Sequence, residues 1–208
     1  MIDRSSQDHW ESVYRTKRSN AVSWFSPHLG TSMQLLELAG LSPQSRVIDI
    51  GAGASTLVDD LLDRGLTHIT AVDIAENSLE IARARLGPRA ESVQWIVADV
   101  TKLTLPAASI DLWHDRATLH FLIDAEAVRH YVRLATESIA AGGHAVIGGF
   151  AADGPERCSN LPVARRDPED IAALFGNSFT LVQSRREIHR TPSGSSQPFA
   201  FALLRKVG

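Results

Sequence analysis

Three carboxylates and two glycines carry the chemistry that can be read first. Asp49, Asp73 and Asp99 each close or follow a short apolar run: RVIDI over 46–50, HITAVD over 68–73 and VQWIVA over 93–98. Such β-branched runs read as strands, and ligands of open α/β sheets bind outside the carboxyl ends of strands. Singly, each acid reads as a turn residue or a helix cap. Three in register on successive strands point instead to one ligand that offers hydroxyls and a positive charge.

The chain leaves the first run through DIGAGAST over 49–56, with Gly51 and Gly53 in the turn. A glycine turn opening into a helix brings backbone close to a ligand. Two ligand classes use it. A dinucleotide calls for G-x-G-x-x-G, and here the third position is Thr56. S-adenosylmethionine calls for an acid followed by G-x-G, and Asp49 suits a donor whose ammonium needs a carboxylate. Asp73, about 20 residues beyond the loop, is placed to take both ribose hydroxyls. A bare strand-to-helix turn without a ligand is the alternative for the loop alone. The Tyr-x-x-x-Lys pair of short-chain reductases is absent: Lys17 follows Tyr14 at the wrong spacing, and Ala135 follows Tyr131.

The elements that must position these residues alternate between helix and strand periods. Amphipathic helix is expected over 6–18, a helix through Met33, Leu35, Leu36 and Leu38, and further helices over 55–64, 76–86, 124–140 and 167–175. Strands are expected over 46–50, 68–73, 93–98, 109–114, 144–150, 179–188 and 199–205, with the turn-rich RTPSGSSQ over 190–197 between the last two. The expected fold class is α/β: a doubly wound, seven-stranded, mostly parallel, Rossmann-like sheet. A single domain over 1–208 is expected, with an N-terminal helical lid over 1–43 and the core over 44–208.

The motifs DIGAG, AVDI, ADV and AAGGH, in that order over about 46–150, resemble those of class I S-adenosylmethionine-dependent methyltransferases. The resemblance implies strand order 3-2-1-4-5-7-6 with the last strand antiparallel. It implies Gly51 and Gly53 along the methionine part of the donor, Asp49 near its ammonium, Asp73 with Ile74 at the ribose, Asp99 at the adenine amino group and the Val100 N–H at its ring. A narrower likeness runs through HWESVYRTK, VSWF and LPAASIDLWHDRATLHFL to the methyltransferase-like proteins that methylate lysines on translation elongation factors. Where those carry Asp-Lys-Gly-Thr, this chain reads Asp115-Arg116-Ala117-Thr118, and His120-Phe121 stands where they commonly have Asp-Ala.

Methyl transfer leaves the protein to position the reactants and manage the acceptor's proton. Asp115, His120 and His189 are the candidate catalytic groups, and Asp115, Arg116, His120 and Cys158 the candidate acceptor contacts. Structural readings stand beside each: Asp115 pairing with Arg116 or capping the next segment, the histidines hydrogen-bonded in the core, Cys158 as inert packing. Trp10, Tyr14 and Trp24 are read as an aromatic lid over the donor, or as a helix face packed on the sheet edge. A metal site at His114, His120 and His189 has no supporting spacing, and none is expected.

Net charge is −3 over 208 residues, so no nucleic-acid partner is expected. No apolar run has the length of a membrane span, the N-terminus has no apolar leader, and Cys158 is the only cysteine, so a cytoplasmic protein is expected. The segments expected around the acceptor carry Arg157, Arg165, Arg166 and Arg190 besides Arg116. That balance favours a small, anionic acceptor over a protein lysine. An NAD-type oxidoreductase and a non-catalytic donor-binding module are the competing classes.

Overall fold

Alternation along each strand decides which face of the sheet a side chain reaches. The computed structural model describes residues 4–208, and side chains from Ser6 onward. In chain order the elements are α1 (Arg4–Thr16), α2 (Gly30–Leu38), β1 (Val47–Ile50), α3 (Leu57–Asp63), β2 (Ile69–Asp73), α4 (Glu76–Leu86), β3 (Val93–Val97), β4 (Ile110–Arg116), α5 (Ala125–Ser138), β5 (Ile139–Phe150), β6 (Arg157–Cys158), β7 (Leu161–Pro162), α6 (Pro168–Phe175), β8 (Phe179–Arg190) and β9 (Ser196–Lys206).

Seven strands form one sheet in the order β3-β2-β1-β4-β5-β9-β8. The first five are parallel, and β9 runs antiparallel to both β5 and β8. This is the Rossmann-like order the motifs implied. β6 and β7 pair separately as a small hairpin, which the sequence reading did not contain. Two-residue strands leave no periodicity to read.

One face of the sheet packs Leu35, Leu36, Leu57, Leu61, Phe150, Phe199 and Phe201. The other packs Trp113, Tyr131, Ile139, Ile147, Ile171 and Leu204. On β4, Leu112 belongs to the first face and Trp113 to the second. With a period of two, His114 and Arg116 follow Leu112, and Asp115 follows Trp113.

The largest departures from the expected boundaries lie at the fifth strand and at the last two. The fifth strand begins at Ile139, inside the expected helix, because Ile139 pairs with Ile110 on β4 and its carbonyl accepts from Lys206 Nζ at 2.7 Å. Gly143 makes this possible, since a Cβ there would lie 2.8 Å from the Asp111 carbonyl oxygen. At the C-terminus, β8 and β9 run deep into the expected 190–197 loop and leave a short turn closed by Thr191 N donating to Ser195 O.

α1 lies against α4. The Glu11 carboxylate accepts from Glu76 N at 2.7 Å and Asn77 N at 3.3 Å. An acid there satisfies the orphan donors of the α4 N-terminus. Residues 1–3 of the expected 1–43 lid lie outside the described residues.

Candidate active site

The strand ends converge on a cavity of about 540 Å³. β1 contributes Gly51, β2 contributes Asp73 and Ile74, and the turn after β3 contributes Asp99 and Val100. β4 and its following turn contribute Arg116, Thr118, His120 and Phe121, β5 contributes Phe150, and β9 contributes Phe199. Cys158, Leu161 and Pro162 of the small hairpin close one side, and Trp10, Tyr14 and Trp24 the top. The sequence reading missed the apolar half of this wall: Phe121, Phe150, Phe199, Leu161 and Pro162. Aromatic residues at strand ends look like core until the topology stacks them.

At one end the polar groups are acids. Asp73 is buried, and its oxygens accept from Gly53 N and Ala75 N, both at 2.8 Å. Burial pushes its carboxyl up to about 6, against the pull of those two N–H groups. Each oxygen keeps a lone pair for a further donor. Asp99 behaves oppositely. Burial raises it, but the Thr101 hydroxyl and N–H and the Lys102 ammonium together hold it below the usual carboxylate range.

The glycines of the loop serve the protein's own packing as well as any ligand. Gly51 and Gly53 have φ of +67° and +53°. A Cβ on Gly51 would collide with Thr118 Oγ1, and one on Gly53 with the Tyr14 hydroxyl. Gly51 lines the cavity, and Gly53 lies behind Tyr14. Asp49 does not line the main cavity. It borders a smaller void of about 50 Å³ with Gly51, Tyr14, Trp24, His114 and Arg116. Its Oδ1 accepts from His114 Nδ1 at 2.7 Å, and His114 Nε2 meets Ser32 Oγ at 2.9 Å. All three side chains are buried, and Asp49 Oδ2 has no partner among the described residues.

At the other end the expected acceptor groups separate. Asp115 faces the opposite side of the sheet, where Oδ1 accepts from Thr118 N at 2.7 Å. Its Oδ2 accepts from Leu119 N at 3.0 Å and the Tyr131 hydroxyl at 2.6 Å. Burial raises it to about 6. It fastens the turn that shapes the cavity and does not line it, which corrects its reading as an acceptor contact or base. His189 is corrected as well. Its Nε2 donates to the Ser23 carbonyl at 2.8 Å and its Nδ1 faces Arg116 Nη2 at 3.4 Å, so both nitrogens are spent on structure outside the cavity wall.

Arg116 does line the cavity. Nη1 donates to the Trp24 carbonyl at 3.0 Å, and the guanidinium lies 4.7 Å over the Phe199 ring. Burial lowers its pKa from the ordinary value. The other arginines expected there are occupied elsewhere. Arg165 meets Glu156, Arg166 donates to the Leu119 and Leu122 carbonyls, Arg190 donates to Ser196 Oγ, and Arg157 donates to the Asn160 carbonyl. Cys158 is buried in the wall, and burial pushes its thiol up to about 11, far from a reactive thiolate. His120 lines the cavity between Phe121 and Phe150, with ring centroids 4.3 and 4.9 Å away. Burial, then the charges of Arg166 and Arg116, push it down to about 3. It is neutral at physiological pH and a weak base. No group of three His, Cys, Asp or Glu suited to a metal occurs among the described residues.

Residues 47–143 match the family model described as a methyltransferase domain. Over that stretch the chain is similar to methyltransferase domains. An eEF1A lysine and N-terminal methyltransferase of Mus musculus is 29% identical over 123 residues, which is 58% of this chain and 17% of that protein. The chain thus spans less than a fifth of the curated relatives it matches first. Among solved structures, the Burkholderia thailandensis 1,6-didemethyltoxoflavin-N1-methyltransferase superimposes with a TM-score of 0.71 at 24% identity, over 99% of this chain and 85% of that one. The N-methyltransferase NodS of Bradyrhizobium japonicum superimposes with a TM-score of 0.72 at 18% identity, over 96% and 99%. These two likenesses are likenesses of fold.

The methyltransferase donor fits the residues present. A buried carboxylate oxygen without a partner, Asp49 Oδ2, suits an ammonium, and Asp73 retains acceptor capacity for hydroxyls. No helix among the described residues is long and apolar enough to cross a membrane.

Proposed function

We propose that this chain transfers the methyl group of S-adenosylmethionine to a small-molecule acceptor held at the aromatic end of the cavity. When bound, the donor supplies an electrophilic methyl group on a sulfonium. Asp49 meets its ammonium, Asp73 with Ile74 its ribose, and Asp99 with Val100 its adenine. Residues up to 43 serve as the lid of a single domain. Trp10 packs edge-on to Trp24 and Phe121, with centroids 5.7 and 4.9 Å apart, and these rings close the site over both ligands. Closure excludes water and fixes reactant geometry.

The observation that carries the reading is the enclosure itself. Trp10, Trp24, Phe121, Phe150 and Phe199 surround the acceptor end, and no carboxylate lines it among the described residues other than those on the donor side and Asp124 on its rim. A protein lysine would have to bring a cation past Arg116 into this pocket, where like charge opposes it. The lysine reading is favoured by one other observation, the curated relatives named for eEF1A lysine methylation. Incubation with methyl-labelled donor and fractionated cell extract separates the two. Label in the small-molecule fraction is the expected result, and label on protein lysine overturns it.

A further inference from the structure

His120 presents a polar atom that nothing in the fold uses. Its Nε2 is buried and has no hydrogen-bond partner among the described residues, although the side chain forms part of the cavity wall. The Phe150 N–H approaches Nδ1 at 3.5 Å. A ring nitrogen that faces an N–H carries the lone pair, so the proton of the neutral ring sits on Nε2. His120 is therefore a donor without an acceptor. Leaving such a group buried is unfavourable, and a ligand atom that accepts its hydrogen bond recovers the loss.

Arg116 lies in the same wall and has the complementary deficit. Its guanidinium is spent on a carbonyl, on His189 and on the Phe199 face, and it makes no ion pair with a carboxylate among the described residues. Glu187 is the anion that acts on it, through space only. Around His120 the charged groups are Arg166 and Arg116, both cationic. An N–H donor and an uncompensated cation meet in the wall of a cavity that Phe121, Phe150 and Phe199 also line.

Resting on the small-molecule reading above, we propose that the acceptor is a flat, conjugated acid of phenol or enol type, bound as its anion, with its charged oxygen received by the His120 Nε2–H and the Arg116 guanidinium. Aromatic walls accept a planar ring edge-on and face-on, and a charge-assisted hydrogen bond from each donor fixes its orientation. The acceptor's proton leaves to solvent as the anion binds, so no side chain has to remove it. The nucleophilic atom of the conjugated system then forms its bond to the methyl carbon. The carbon–sulfur bond breaks with its electron pair on sulfur, and a neutral methylated product and S-adenosylhomocysteine result. His120 thus orients and stabilises the acceptor as a neutral donor, in place of the base role its residue type suggests.

The test uses the full chain loaded with S-adenosylhomocysteine, with 4-nitrophenol as probe and nitrobenzene as its neutral counterpart. The phenol is expected to bind at least about tenfold more tightly than nitrobenzene, and its ionisation midpoint, read from the phenolate absorbance, to fall by about one unit on binding. His120→Leu and Arg116→Met should each remove most of that preference. His120→Gln, which returns an N–H donor, should keep it. S-adenosylhomocysteine affinity, measured on every variant, reports folding and tests the donor reading independently. Nitrobenzene binding as tightly as the phenol, failure of the phenol to bind, an unchanged or raised midpoint, or an undiminished preference in His120→Leu overturns the proposal while leaving the donor site standing.

Discussion

Asp49 and His114 face one another across the parallel pair β1 and β4, with Oδ1 2.7 Å from Nδ1, and the carboxylate's second oxygen has no partner among the described residues. Ser32 on α2 steadies the far side of the imidazole. If Oδ2 meets the donor's ammonium, Asp49→Asn should weaken S-adenosylhomocysteine about 10- to 100-fold, the range of a hydrogen bond to a charged group. The analogue lacking the amino group should bind wild type and variant alike. An equal loss for both ligands would show that the substitution acts through the fold.

Donor affinity should rise with pH, and Asp73 sets the midpoint. Its carboxyl is raised by burial to about 6, above its ordinary value. The group's contribution to stability is therefore fully present at low pH and is lost as pH rises through about 6. Donor binding runs the other way, because ribose hydroxyls donate better to the carboxylate. Between pH 5 and 7 the affinity for S-adenosylhomocysteine should increase about tenfold. Isothermal calorimetry on Asp73→Asn should give a flat profile over that range, and a profile as steep as the wild type's would assign the titration elsewhere.

Asp115 should behave as a strut. Tyr131→Phe removes the 2.6 Å bond to its Oδ2 and strands Trp113 Nε1, which donates to the Tyr131 oxygen at 2.9 Å. The loss should be about 2–4 kcal/mol, or roughly 5–15 °C in Tm for a domain of this size. Burial raises Asp115 to about 6, and the carboxylate form is the one that loses a partner, so the loss should be larger at pH 7 than at pH 5. Thermal unfolding at the two pH values checks this. A fully stable variant with abolished turnover would return Asp115 to the catalytic role expected from its position.

The first three strands were legible because they are short, rich in β-branched residues and closed or closely followed by an acid or a glycine, and the strand order came with the ordered motifs. That Asp73, Asp99 and Val100 share one cavity was legible for the same reason, since each closes or follows a strand at the same edge of the sheet. The acceptor end was not, and strand alternation explains it. His114, Asp115 and Arg116 are adjacent in sequence, yet Asp115 faces away with Trp113, while Arg116 lines the cavity and His114 borders the small void beside it. Counting from Leu112 with a period of two would have separated them. Nothing in the sequence marks the arginines of 157–190 as already occupied, because their partners are carbonyls and acids brought near by the turn after β4 and the small hairpin. Ala117 shows the same limit. It adopts φ of +77°, with its N–H donating to the Gly148 carbonyl. A conformation that L side chains rarely take is invisible in the residue's identity.

Calorimetric titration of the purified chain with S-adenosylhomocysteine, beside NAD, tests the central claim most directly. One site for S-adenosylhomocysteine is expected, formed by the cavity's acids, the Asp49 oxygen that has no partner among the described residues and the aromatic rings of Trp10, Tyr14 and Trp24, with a dissociation constant in the range of about 1–100 μM. Asp73→Ala should weaken it by about 1.5–3 kcal/mol, and NAD should give no heat of binding. Saturable binding of NAD with none of S-adenosylhomocysteine would contradict the account.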